Sequence, residues 1–208
     1  ALRATAEGER LRVEPDLVDR LVGECSEGGD ALPLLGLTLA RLYRDYGDDG
    51  DLRLDEYQAM GGLTNIVKTE AESVLAGNEP MRQQQLELLR AAFVPWLATI
   101  NPQNDQPMRR MARRADLPAD SHVLLDALAE KRLLLTDQRD GVAVVEVAHE
   151  ALLRQWDVLT TWLASERENL KDADVLERAV QAWETSGRKD AWLMEGERLT
   201  IVETLAAK

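Results

Sequence analysis

Ser121–Glu150, SHVLLDALAEKRLLLTDQRDGVAVVEVAHE, decides the fold. Its first part carries apolar residues at helical spacing and predicts a helix starting at Ser121. That helix leads into two β-branched and leucine-rich runs, RLLLTDQ and VAVVEVA, joined by Arg139-Asp140-Gly141. Asp-Gly between two apolar runs is a strong hairpin signal. Upstream, Pro80 opens a helix through QQQLELLRAAFVPWLATI, which Pro95 should kink and Asn101-Pro102 should end. A short basic stretch, MRRMARRADL, follows. The order helix, helix, helix, hairpin over residues 78–150 is that of a winged helix, a relative of the helix-turn-helix.

Both flanks read as helical. In residues 1–77, Glu14-Pro15 precedes Leu17, Val18, Leu21 and Val22 at helical spacing, with proline suited to a first turn. GGDALPLLGLTLARLYRDYG supplies a second helix, with Asp30 as its expected N-cap and Gly47 to Gly50 as its stop. LDEYQAM forms a third, ending at Gly61-Gly62, and a fourth runs from Leu63 to about Leu75. In residues 151–208, Leu152, Leu153, Trp156, Leu159 and Leu163 form one apolar stripe, ASERENLKDAD faces solvent, and VLERAVQAWETSG stops at Gly187. A last helix carries Trp192, Leu193, Leu199, Val202 and Leu205. The expected fold class is therefore mainly α: a helical subdomain over 1–77, a winged-helix subdomain with a small β-hairpin over 78–150, and a helical connector over 151–208.

The totals narrow the function. With 38 acidic against 25 basic residues the formal charge is −13, which repels phosphate backbones and anionic lipid at long range. The single cysteine, Cys25, excludes an internal disulfide, and with no signal peptide or spanning run in view the expected compartment is the cytoplasm. The chain opens as though within a helix and closes in another, as a piece of a longer protein would.

No phosphate-binding loop, nucleophile elbow or paired-cysteine metal motif is present in the sequence. His149-Glu150-Ala151-Leu152-Leu153 begins like a zinc-protease motif but places Leu153 where the second histidine should stand, so no metal ligand set and no catalytic residue is expected. A DNA-binding winged-helix regulator is the alternative, with Arg109, Arg110, Arg113 and Arg114 as the anion- or nucleic-acid-contacting cluster. Against it, the exposed positions expected on the third helix, Asp126, Glu130 and Lys131, form a mixed-sign set with no base-reading surface. An exposed face or a contact within the protein is the plainer account of the arginines. A third reading is a helical scaffold with neither ligand.

GGDALPLLGLTLARLY, LDEYQAMGGL, LLDALAEKRLLLTDQ, VEVAHEALLRQWDVLTTWLASERENL and AWETSGRKDAWLMEGERL, in that order, resemble the region behind the nucleotide-binding core of bacterial STAND-type NTPases. These are signal-transduction ATPases that often carry WD-repeat sensors. The resemblance covers nearly the whole chain and implies a helical and a winged-helix subdomain closing over nucleotide. ATP or ADP with Mg would belong to the parent protein and no cofactor to this segment. The implied partners are the parent's nucleotide-binding core and C-terminal sensor repeats, with oligomerisation on activation. The resemblance also implies a nucleotide-sensing role for Pro33, in Leu32-Pro33-Leu34, which matches a proline that packs on the base. It implies another for His149, which matches a histidine that touches ADP phosphates, although Ala148-His149-Glu150 departs from the usual Met-His-Asp.

Elementary chemistry allows two roles for His149. A strand end meeting a helix start offers free backbone N–H groups and positive potential suited to an anion, or the imidazole simply pins the junction. A charge-assisted hydrogen bond contributes about 1.5–3 kcal/mol, whereas inverting a two-state switch takes about 5.5 kcal/mol. His149 alone is too weak a lock.

Overall fold

The computed structural model describes residues 11–26 and 31–206, and the architecture is mainly helical with small sheets. Pro15 fixes φ for the first turn of α1 (Pro15–Ser26), and Asp16 sets a carboxylate at its positive end. Leu17 and Leu21, one turn apart, are buried where α1 packs on α2 (Ala31–Tyr46). The expected cap Asp30 lies outside the described residues, as does the side chain of Pro33 in the first turn of α2.

The stop expected after α2 is present as a tight 3-10 turn, Gly47–Asp49, with Gly50 at φ +80°. Two strands not expected from sequence follow from it: β1 (Arg12–Val13) pairs parallel with β2 (Asp51–Leu52). α3 (Leu54–Ala59) then gives way to α4 (Gly62–Glu72) through Gly61 and Gly62, at φ +87° and +68°, a backbone that glycine adopts without steric cost. Buried Tyr57 pins this corner. Its hydroxyl donates to Glu24 and accepts the Leu63 N–H at 2.9 Å, and burial, then the Glu24 contact, pushes its pKa up.

Asn78 caps α5 (Glu79–Ala92) by accepting the Met81 N–H at 3.0 Å, with Pro80 in the first turn as expected. The helix does not run on through a kink to residue 100. Pro95 lacks an N–H and forces its predecessor out of helical geometry, so α5 ends at Ala92, Val94 is extended (φ −110°, ψ 116°), and the Val94–Pro95 peptide is cis. The chain continues as β3 (Ala98–Ile100), antiparallel to β4 (Pro107–Arg109). The basic stretch is therefore strand, β4 and then β5 (Met111–Arg113).

α6 (His122–Glu130) leads into β6 (Leu134–Arg139) and β7 (Val142–Val147), joined as expected by a two-residue turn. Asp140 (φ 53°) and Gly141 (φ 78°) both take positive φ, the geometry that matches strand twist in a tight hairpin. The hairpin is not isolated. β5 adds to its far side, giving a three-stranded antiparallel sheet of order β5-β7-β6.

The apolar stripe after residue 150 is buried throughout, but on two helices rather than one. α7 (Ala151–Gln155) breaks at Trp156 (φ −92°, ψ 99°) before α8 (Asp157–Ser165). The Trp156 indole is wholly buried, edge-on to Phe93 at 6.0 Å and Trp162 at 5.8 Å between ring centroids, and donates to Glu72 Oε1 at 2.8 Å. α9 (Arg167–Thr185) begins earlier than expected and buries Leu170 from the stretch read as solvent-facing. Gly187 ends it at φ +81°, and α10 (Glu197–Ala206) packs back on it, leaving Trp192, Leu193 and Leu199 exposed.

Candidate functional site

His149 lies at the joint between β7 and α7. The strand's last hydrogen bond is from Ala148 N–H to Leu133 O at 2.9 Å, and the His149 carbonyl then accepts the Leu152 N–H at 3.0 Å. The backbone therefore turns directly from ladder to helix. The imidazole is half-buried, and β4 sets Arg109 near it, with Arg109 Nη1 donating to Val147 O at 3.3 Å. Burial first, and then the Arg109 charge, push the His149 pKa below its ordinary 6.5. The ring is thus neutral at pH 7, able to donate or accept one hydrogen bond beside a fixed cation. α7 is only 5 residues long, so its dipole adds little to this corner.

The four arginines do not form one basic face. Arg109 ends β4 and Arg113 ends β5, whereas Arg110 lies between the two strands and Arg114 opens a 3-10 turn after β5, so the side chains reach different neighbours. Arg109 is held at the Val147 carbonyl. Arg110 reaches α9, where both Glu177 oxygens accept from its Nη2 at 3.0 and 2.8 Å. Arg114 forms a two-pronged pair with Asp126 of α6 at 2.7 and 2.9 Å, which also holds the Asp126 carboxyl below its usual pKa. Arg113 is exposed on β5. Asp126, expected on a groove-reading face, is occupied by that pair, and Lys131 turns inward to α4 at 3.4 Å from Glu70 Oε2.

α4 carries an ionic centre that the sequence reading did not single out. Glu70 is 1% exposed. Its Oε1 lies 3.1 Å from Arg41 Nε and 3.0 Å from Arg44 Nη2, both on α2. Asp45 bridges the same two arginines at 3.1 and 2.8 Å. Burial works against the Asp45 charge, but hydrogen bonds from Arg44 and Arg41 outweigh it and keep the carboxyl below its usual range. Two residues on, Glu72 receives Arg82 of α5 and the Trp156 indole. α4 also lends Lys68 to Asp157 of α8. A signal for Glu70 did exist: Leu63, Ile66, Val67 and Glu70 occupy successive positions of one buried helical stripe, so a carboxylate stands where an apolar residue is the rule.

Among the described residues no group of three or more His, Cys, Asp or Glu side chains gathers as metal ligands, and no helix is long and apolar enough to cross a membrane. No curated protein and no solved structure matches the chain. A family model described as Novel STAND NTPase 1 matches residues 1–191, and the chain therefore belongs to this family of STAND-type NTPases, proteins of signal transduction.

Proposed function

We propose that this chain is the regulatory part of a STAND-type signal-transduction NTPase, in which it couples the nucleotide state of a phosphate-loop core to a change in its own shape. Residues 78–150 act in it as a winged helix. The run α5, β5, α6, β6, β7 with sheet order β5-β7-β6 supports that reading, because the strand ahead of the last helix pairs with the outgoing arm of the hairpin. The helical residues before it and the connector after it transmit the change, to the core on one side and to a C-terminal sensor on the other.

The observation that carries the proposal is the Arg109–His149 pair at the β7–α7 corner. A guanidinium and a neutral imidazole at one corner suit an anionic oxygen: the arginine supplies charge, and the imidazole supplies a directional hydrogen bond. An arriving phosphate would raise the imidazole pKa again, so ADP would be held more tightly as pH falls. Pro33 would meet the base in the same bound state. ATP or ADP with Mg is the ligand of the core, and the chain by itself turns over no nucleotide. In the full-length protein, His149→Ala and Arg109→Ala are each expected to speed ADP loss and raise basal activity. ADP retention unchanged in both variants overturns the sensor role, and phosphate release from ATP by the isolated 208-residue chain would overturn its assignment as non-catalytic.

A further inference from the structure

The outer side of β6 is an open edge. In the sheet order β5-β7-β6 no strand follows β6, and every residue of it after Leu134 is exposed. The bond from Ala148 N–H to Leu133 O fixes the phase of the ladder. Leu135, Asp137 and Arg139 exchange backbone bonds with β7, while Thr136 and Gln138 turn theirs outward. Among the described residues those outward groups meet no backbone partner, and the Gln138 N–H is taken by the Asp137 side chain at 2.7 Å. An exposed edge is a template for another strand unless its side chains forbid the pairing.

The side chains here select one pairing rather than forbidding all. Asp137 and Arg139 stand two positions apart, so they share a face of the strand and carry opposite charges. Within the chain, Arg139 reaches Asp137 and Glu146 only at 3.9 and 3.5 Å. We infer that β6 pairs antiparallel with β6 of a second copy across a two-fold axis at Gln138, joining the two sheets edge to edge. In that register the two Gln138 residues exchange backbone hydrogen bonds, and their carboxamides, each both donor and acceptor, face one another. Asp137 of each copy stands opposite Arg139 of the other, and turns from the Gln138 N–H to that cation. The neighbouring registers fail. An axis at Asp137 or at Arg139 sets like charges opposite each other. An axis at Thr136 drives the Asp140–Gly141 turn of each copy against Lys131 and Arg132 at the end of α6 in the other. The formal charge of −13 on each copy resists the approach, so the contact is short-ranged and weak.

Sedimentation velocity of the 208-residue chain over rising concentration, at physiological ionic strength, tests the pairing. A monomer–dimer equilibrium is expected below about 1 mM, with the outward Thr136 and Gln138 amides gaining protection from hydrogen exchange as the dimer forms. Asp137→Arg sets arginine opposite arginine, and Arg139→Asp sets carboxylate opposite carboxylate. Each is expected to weaken association roughly tenfold or more. Both positions are exposed, so neither change empties the core. An equal mixture of the two variants should associate again as a heterodimer, because each chain then meets its opposite charge. Both substitutions in one chain should likewise restore the homodimer. A chain still monomeric at about 1 mM leaves the edge to a foreign strand. Association kept by both single variants belongs to another face, and single variants that stay apart when mixed lost it for a reason other than charge pairing. Any of these three results overturns the two-fold pairing.

Discussion

The two flanks of α4 are both polar and apolar, yet they are built to opposite standards. Toward α5 and α8, the Trp156 ring is fully enclosed, packs on Phe93 and Trp162, and satisfies its single N–H on Glu72. Toward α2, Arg41 and Arg44 crowd one oxygen of the Glu70 carboxylate, while Arg41 Nη1 and Thr38 Oγ1 are buried, among the described residues, without hydrogen-bond partners. The second flank has more salt bridges, yet it is expected to be the weaker join. A salt bridge taken out of water must recover the desolvation of both ions, and it does so only when the remaining donors and acceptors are also met. Satisfaction, rather than the amount of charge, sets how firmly each flank holds.

Substitutions on each side can break that comparison. Trp156→Ala is expected to have the largest effect, about 3–5 kcal/mol lost, since it empties a closed aromatic site and removes the donor to Glu72 Oε1. A urea-unfolding midpoint nearly unchanged would show that the tight flank is no tighter than the other. Thr38→Val should act in the reverse direction, raising stability by roughly 1 kcal/mol, because the hydroxyl is wholly buried and pairs with nothing while valine keeps its shape. Destabilisation by Thr38→Val would mean that this flank is better satisfied than its geometry indicates.

Acid should sharpen the picture at the β7–α7 corner. The His149 pKa is depressed in the fold, so below 6.5 the unfolded chain binds the extra proton first. The stability this group contributes is present above 6.5 and is lost as pH falls toward and through its folded value. His149→Gln, which cannot titrate, should flatten that part of the stability–pH curve, and an identical slope in the variant would remove burial as the cause. The smallest effect is expected at Lys68→Ala. Its pair with Asp157 lies in solvent, where such contacts are worth little, so the midpoint should stay where it was.

What the sequence made legible follows from how local each signal is. The Asp140–Gly141 turn was readable because positive φ at two adjacent positions selects those residues. The Trp156 stripe was readable from its spacing, and the place of His149 from the strand that ends beside it. The strands β1 to β5 were not: each has two or three residues, too few for alternation to register, and β1, β2 and β5 pair with partners distant in the chain. The fate of the arginines was equally hidden, since Glu177 and Asp126 reach them only after the fold has formed. The same holds for the site, where the strand end gave His149 but only the β4 path brings Arg109 to it. Glu70 is the instructive case. Its position in the stripe marked it as buried, but no local pattern names the two arginines that make that burial tolerable.

The arrangement of α4 also restricts how this family can vary. Within the span of a few residues it answers to α2, to the end of α6, to α5 and to Trp156, so a new side chain at position 70 or 72 cannot be compensated at one neighbour alone. Homologues that replace Glu70 by an apolar residue should have exchanged Arg41 and Arg44 in the same lineage, whereas Arg114 and Asp126, which form a two-pronged pair, should come and go together.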